Sequence, residues 1–145
     1  MNNVYMLTHR RITEFDDQSG ENIYSTCLLG FFSTKAKCNE MIEHYLKQPG
    51  FIDYSNGFII ESVEANDDDI SAQFDKTVFF LSHEWYDGRY DHVSYLGYYS
   101  TKESAEKALN KYKNDLEFTD YLDGFCIDAY TIDEGWWMEG FFIWQ

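Results

Sequence analysis

The sequence predicts an α+β fold: a tandem ββαβ repeat that forms one six-stranded, mostly antiparallel sheet, with two helices on one face and pseudo-twofold symmetry. Three observations predict it. Residues 29–63 (LGFFSTKAKCNEMIEHYLKQPGFIDYSNGFIIESV) align without a gap on residues 96–130 (LGYYSTKESAEKALNKYKNDLEFTDYLDGFCIDAY), at a spacing of 67, and twelve of the 35 pairs are identical. Upstream, VYMLTH at 4–9 matches VFFLSH at 78–83 at a spacing of 74. Each copy then shows strand, strand, helix and strand patterns in the same order. Self-similarity at a fixed period marks a duplicated structural unit.

The elements follow in chain order. Residues 4–9 alternate two faces, Val4, Met6 and Thr8 against Tyr5, Leu7 and His9. Both faces carry apolar residues, so this is a central strand. The loop RRITEFDDQSGENIY turns at Ser19-Gly20. A second strand covers about 24–32, and Gly30, repeated as Gly97, marks a bulge or a close helix contact. Ser33 is expected to cap the first helix, and Ser100-Thr101-Lys102-Glu103 has the form of a capping box. Cys38, Met41, Ile42 and Tyr45 recur at i, i+3, i+4, i+7, as do Ala105, Ala108, Leu109 and Tyr112, so each helix buries one stripe. Pro49-Gly50 ends the first helix; the second is expected to reach about Leu116.

Asn56-Gly57 and Asp123-Gly124 are turn dipeptides that accept positive φ. Third strands follow at Phe58–Val63 and Phe125–Tyr130. A right-handed crossover returns each third strand parallel to the second, with the first strand between them and antiparallel to both. One copy alone has a thin core. The expectation is therefore a single domain of two repeats, 1–67 and 68–145, sharing a sheet. The linker 64–77, EANDDDISAQFDKT, reads as an acidic, solvated turn. In the tail DEGWWMEGFFIWQ, the aromatics Trp136, Trp137, Phe141, Phe142 and Trp144 are expected to pack on the open sheet face or to add an edge strand. An exposed patch for a partner is the competing reading.

Hydrophobic residues make up 44% of the chain, which places it among globular proteins. The net charge of −15 is uneven. Residues 1–50 hold five bases and six acids, residues 51–145 six bases and twenty acids, and neither 51–75 nor 114–145 contains Lys or Arg. Such a field repels nucleic acid and anionic membranes and speeds encounter with cationic partners. The bland alternative is solubility alone. The three cysteines, Cys27, Cys38 and Cys126, have no CxxC spacing and are odd in number, which argues for reduced thiols. MNNVYMLTHRR lacks the layout of a secretory leader, and no apolar run approaches the roughly 18 residues of a membrane span. A soluble, cytoplasmic protein is the expectation.

Few constellations suggest chemistry. His9 and His83 end equivalent strands and would suit a metal or acid–base role if brought together in a cleft. The blander reading is a strand-end His that hydrogen-bonds a turn. Asp67-Asp68-Asp69 lacks the Gly and downstream Glu of a calcium loop. No nucleophile elbow, H-E-x-x-H or P-loop occurs. No catalytic residue, metal or cofactor is therefore assigned. The stretch HEWYDGRYDH at 83–92 sets Trp85, Tyr86 and Tyr90 among Glu84, Asp87 and Asp91. Aromatic anchors ringed by carboxylates suit a cationic protein surface; the competing reading is a polar hairpin tip turning at Asp87-Gly88. Asp133 and Glu134, in the second base-free stretch, join Glu84, Trp85, Tyr86, Asp87 and Asp91 as candidate partner contacts.

Several short motifs carry a resemblance. Y-x-L-x-H (Tyr5, Leu7, His9), L-G-x-F-S-T (Leu29–Thr34), P-G-F (Pro49–Phe51), G-F-x-I (Gly57–Ile60) and W-x-E-G-F (Trp137–Phe141) resemble a family of small, uncharacterised bacterial domains, here duplicated. The first copy lacks W-x-E-G-F and the second lacks P-G-F. The resemblance implies a fold and no activity. By charge and size the chain also resembles bacterial immunity proteins. That likeness implies an immunity-type inhibitor that blocks a basic partner, such as a nuclease toxin, by covering its active surface. The alternatives are a small-molecule or regulatory binding module with its site between the repeats, an enzyme using that cleft, and a DNA mimic.

Overall fold

A computed structural model describes residues 2–86, 88–89, 91–115, 122–138 and 140. The strands are β1 (Asn3–Asp16), β2 (Glu21–Phe32), β3 (Phe58–Glu64), β4 (Thr77–Tyr86), β5 (Asp91–Tyr99), β6 (Phe125–Thr131) and β7 (Glu134–Gly135). The helices are α1 (Lys35–Tyr45) and α2 (Lys102–Lys113). Short 3₁₀ turns, Ile52–Tyr54 and Leu122–Gly124, precede β3 and β6. Among the described residues no helix is long and apolar enough to cross a membrane.

The chain forms two compact units. Val4–Ser62 and Asp133–Gln145 form one, here the N-terminal unit. Met1–Asn3 and Val63–Ile132 form the other, the central unit. The class is α+β as expected, but the single six-stranded sheet is corrected. The strands form a four-stranded sheet, β3-β1-β2-β7, and a three-stranded sheet, β5-β4-β6. The physical reason lies at the edges. Once β1 and β4 are paired on both sides, only outer strands remain for a larger sheet, and β7 occupies the free side of β2 at Gly30 and Phe31.

In the N-terminal unit β1 lies between β2 and β3, as the sequence predicts. The helix stripe is buried as its period predicts: Cys38 and Tyr45 join Leu7, Leu29, Phe32 and Phe51 in one cluster, with Met41 and Ile42 packed against it. Phe51 reaches this core because the chain turns through Gly50 at φ 86° just after Pro49. In the central unit β4 pairs antiparallel with both β5 and β6. Leu81, Tyr99 and Ala105 form its core, with Phe79, Leu96, Ala108, Leu109, Tyr112 and Ile127 around them. Both duplicated glycines sit at bulges. The β1–β2 register jumps from Leu7↔Gly30 to Thr8↔Leu28, leaving Leu29 extra. The β4–β5 register jumps from Leu81↔Gly97 to Ser82↔Tyr95, leaving Leu96 extra.

Three local expectations change. The helix caps are Thr34 and Thr101, which accept from the N–H groups of Lys37 (3.2 Å) and Ser104 (3.1 Å). The preceding serines do different work: Ser33 bonds Asp133, and Ser100 bonds Asp67. The second helix stops at Lys113, before Leu116, with Asn114 as its C-cap. Gly57 and Gly124 do not adopt the left-handed region. Glycine is required there by close approach, because a Cβ at Gly57 would overlap the Arg10 carbonyl oxygen and one at Gly124 the Glu84 carbonyl oxygen.

The tail adds an edge strand, but Glu134 and Gly135 form it rather than the aromatics that follow. β7 pairs with β2, and the Trp136 N–H donates to the Leu29 carbonyl at 2.6 Å. Trp136 and Trp137 nevertheless remain about half exposed, at 52% and 48%. Phe141, Phe142 and Trp144 lie outside the described residues.

Candidate binding face

The central unit carries the most distinctive surface. Side chains alternate across a strand, so a strand whose one face meets a helix turns its remaining residues the other way. In β4, Phe79 and Leu81 belong to the core that includes Ala105 and Ala108 of α2. Val78, Phe80, Ser82, Glu84 and Tyr86 therefore point to the face away from α2. Register places the neighbours. Phe80 stands between Tyr98 and Asp128, and Ser82 between Tyr95 and Cys126. Glu84 stands opposite Val93.

The result is an aromatic and acidic face. Tyr86, Val93 and Tyr95 are 58%, 51% and 39% exposed, large values for side chains of this size. Glu84 and Asp128 are exposed beside them. The Phe80 ring meets Tyr95 edge-on at 4.9 Å and stacks on Tyr98 at 5.6 Å, which fixes the aromatic rows from below. None of β4, β5 and β6 contains a Lys or Arg.

Titration directions report the same crowding. Burial pushes the Cys126 thiol up, and Asp128 and Glu84 push it further. Its Sγ donates to an Asp128 carboxylate oxygen at 3.5 Å. Burial, with Asp128, Tyr95 and Cys126, raises the Tyr130 hydroxyl to about 12. Cys38 is raised to about 11 by burial first and Asp133 second, and burial also raises Cys27. A nucleophilic thiol needs the opposite surroundings, because the thiolate is the reactive form.

The sequence-selected residues fall in several places. Glu84 and Tyr86 lie on this face. Trp85 points to the other side of β4 and stacks on His92, with centroids 4.2 Å apart and planes at 16°. The Tyr86 hydroxyl donates to the Gly88 carbonyl at 2.8 Å, fastening the ring to its own turn. Asp87, Tyr90 and the Asp91 side chain lie outside the described residues. Asp133 and Glu134 belong to the N-terminal unit. Glu134 is exposed in β7, whereas the Asp133 carboxylate is held by Ser33 and Lys37. Val93, Tyr95, Cys126 and Asp128 were missed; their signal is the alternation in VSYLGYY and CIDAY, legible only with the register known.

His9 and His83 lie in different units, and each is buried. His9 is 1% exposed, edge-on to Phe51 at 4.9 Å and Phe58 at 4.8 Å. Its Nε2–H donates to the Tyr54 carbonyl at 2.8 Å, a bond to a turn as in the blander reading, but from mid-strand, because β1 runs on to Asp16. Burial lowers its pKa, the Tyr54 bond opposes that, and the Arg11 charge adds to it. His83 is 1% exposed and packs on Phe125 at 4.5 Å. Among the described residues no group of three or more metal-ligating side chains occurs. Asp68 instead accepts from Lys107 at 2.7 Å and Lys111 at 3.4 Å, which lowers its pKa, first through the Lys107 hydrogen bond. Beside these pairs lies a cavity of about 440 Å³, walled by Tyr99, Ala108 and Tyr112.

Comparison with known proteins adds a family model and nothing functional. No curated protein and no solved structure matches the chain. Residues 76–141 match the model of a domain family described as a domain of unknown function, DUF7336, so over this span the chain is similar to an uncharacterised small domain.

Proposed function

We propose that this protein is a non-catalytic binding module for a basic protein, and that the β4–β5–β6 face of the central unit makes the contact. One observation carries the reading: Tyr86, Val93 and Tyr95 are exposed together with Glu84 and Asp128 on three strands without a single Lys or Arg. Exposed aromatics supply anchoring area, and exposed carboxylates steer a cation and pair with it. The base-free stretches 51–75 and 114–145 extend the negative field. An immunity-type inhibitor that covers the active surface of a nuclease toxin is the specific form this binding would take.

The test starts from a partner captured from native cytoplasm at low salt, then purified. Its association rate should fall steeply with ionic strength. A Glu84→Lys/Asp128→Lys double variant should slow association about tenfold or more, and Tyr95→Ala should mainly speed dissociation. Salt-independent binding, or an unchanged association rate in the double variant, would overturn the proposal. A smaller second reading is a small-molecule site in the cavity beside α2, whose volume of about 440 Å³ lies within the range of ligand pockets.

A further inference from the structure

At the cavity beside α2 the two aligned stretches of sequence differ in one direction. At the spacing of 67, Phe32, Glu40, Met41 and His44 align with Tyr99, Lys107, Ala108 and Lys111. In the N-terminal unit the tail lies on this part of the helix. The His44 Nε2–H donates to the Met138 carbonyl at 3.1 Å, the Tyr45 hydroxyl donates to the Trp136 carbonyl, and the Met41 methyl abuts Gly135. In the central unit the aligned side chains wall the cavity of about 440 Å³ instead. Ala108 leaves the room that a Met would fill. The other three replacements bring a hydroxyl and two ammonium groups to the wall, all hydrogen-bond donors.

Those donors are incompletely matched. Lys107 and Lys111, one turn apart on α2, share a single carboxylate, with Nζ atoms 2.7 and 3.4 Å from Asp68 Oδ2. Among the described residues neither makes a further ion pair, so two positive charges meet one negative charge. The Tyr99 side chain is 5% exposed, and its hydroxyl makes no hydrogen bond to the described residues. Burial first, then Tyr112, Asp67 and Asp68, raises that hydroxyl to about 12, so it keeps its proton to donate. A buried donor left without an acceptor is costly, and an acceptor in the cavity removes that cost.

We propose that this cavity binds an organic monocarboxylate with an aromatic or apolar body, its carboxylate held by Lys107 and Lys111 and its body against Ala108 and the rings of Tyr99 and Tyr112. This rests on the second reading above, that the cavity takes a small molecule, and names the ligand class. One negative charge is what the two lysines lack, and charge-assisted hydrogen bonds to a carboxylate are the strong kind. The Tyr99 hydroxyl is a further donor. Asp69 and Asp115 also line the cavity, and the chain as a whole carries −15. A dianion is therefore repelled, and a small inorganic anion has no apolar body to add affinity by burial.

The test titrates the full chain with phenylacetate, phenylacetamide and phenethylamine, which share a body and differ in charge, and follows backbone amide shifts by NMR. Phenylacetate should move the amides of Ala108 and Lys111. The amide and the amine should bind about tenfold more weakly or worse, because each loses the charge-assisted bonds. Lys111→Gln, on the exposed side of the helix, should remove most of the preference for the acid over the amide. Ala108→Met, which restores the aligned Met41, should block all three probes. Equal affinity of the three probes with the same amides moving overturns the carboxylate assignment and leaves the cavity a small-molecule site. No movement of these amides with any probe overturns both. An undiminished preference for phenylacetate in Lys111→Gln overturns the placement of its carboxylate.

Discussion

Asp133 and Ser33, a hundred residues apart, form a tight clasp. The Asp133 carboxylate accepts the Ser33 N–H at 2.8 Å and the Ser33 hydroxyl at 2.9 Å, and it pairs with Lys37 at 2.9 Å. Asp67 holds Ser100 in the same way, with the N–H at 2.9 Å and the hydroxyl at 2.8 Å. In each unit an aspartate therefore satisfies donors just before a helix, where the first N–H groups lack intrahelical partners. Asp133→Ala should destabilise the N-terminal unit by about 1–2 kcal/mol, measured by urea denaturation. Asp67→Ala should do the same for the central unit, and hydrogen exchange should locate each loss at the first turn of α1 or α2.

Asp133 also predicts an acid limb. Burial acts to raise its pKa, but the Ser33 N–H, Lys37 and the Ser33 hydroxyl outweigh it and hold the carboxyl below its ordinary value. A carboxyl with a depressed folded pKa stabilises above its unfolded value, about 4, and loses that contribution as pH falls through the folded value. Stability measured between about pH 4 and pH 2 should thus fall less steeply in Asp133→Ala than in the parent protein.

His9 gives a second limb at higher pH. Its pKa is lowered, by burial first, so the folded protein holds it neutral where the unfolded chain already binds a proton. Its contribution is complete above about 6.5 and is lost as pH falls from there through the lowered value. Urea midpoints across pH 5–7 should therefore drop on acidification, and His9→Gln should flatten that slope while lowering the plateau. An unchanged slope would show that His9 is not the titrating group.

Tyr45 ties α1 to the tail. It is fully buried, and its hydroxyl donates to the Trp136 carbonyl. Tyr45→Phe should cost about 1 kcal/mol, because a carbonyl loses its partner while the packing of the ring stays. Exchange at the Trp136 N–H, which bonds Leu29, should accelerate in the same variant.

Gly57 and Gly124 predict an unequal alanine series. At either position a Cβ would meet a backbone carbonyl oxygen of the neighbouring strand, which cannot rotate away. Gly57→Ala and Gly124→Ala should each cost about 1–3 kcal/mol or more, as overpacking does. Gly88 has nothing within 4 Å of a built Cβ, and only its φ of +100° opposes a side chain. Gly88→Ala should cost about 1 kcal/mol. Thermal melts of the three variants check the order.

Local pattern carried much of the architecture. The stripe from Cys38 to Tyr45 and that from Ala105 to Tyr112 named the buried helix faces, because a 3.6-residue period is a property of the chain itself. Leu7 and Leu81, alternating in central strands, named the strands between which the others pair. The sequence marks Gly57, but the reason for it is tertiary: the Arg10 carbonyl that excludes a side chain there is 47 residues away in sequence, and no turn rule contains it. The caps slipped by one residue because Ser33 and Thr34 both suit an N-cap. Only the distant Asp133 decides that Ser33 turns outward to it and Thr34 caps.

The candidate face was half legible. Glu84 and Tyr86 stood out by composition, whereas Tyr95 and Asp128 joined them only through the β4 register with β5 and β6. Trp85, adjacent in sequence, goes to the opposite side because a strand turns each neighbour over. The sequence by itself determined the order of strands and helices in each half, their buried stripes and the sign of the charge, since these depend on residues a few positions apart. The tertiary structure alone decided that the strands divide into two sheets, that the segment after β6 completes the edge of β2, and which carboxylates are clasped and which are exposed. Those outcomes depend on which distant backbone groups meet, and no short-range period encodes that choice.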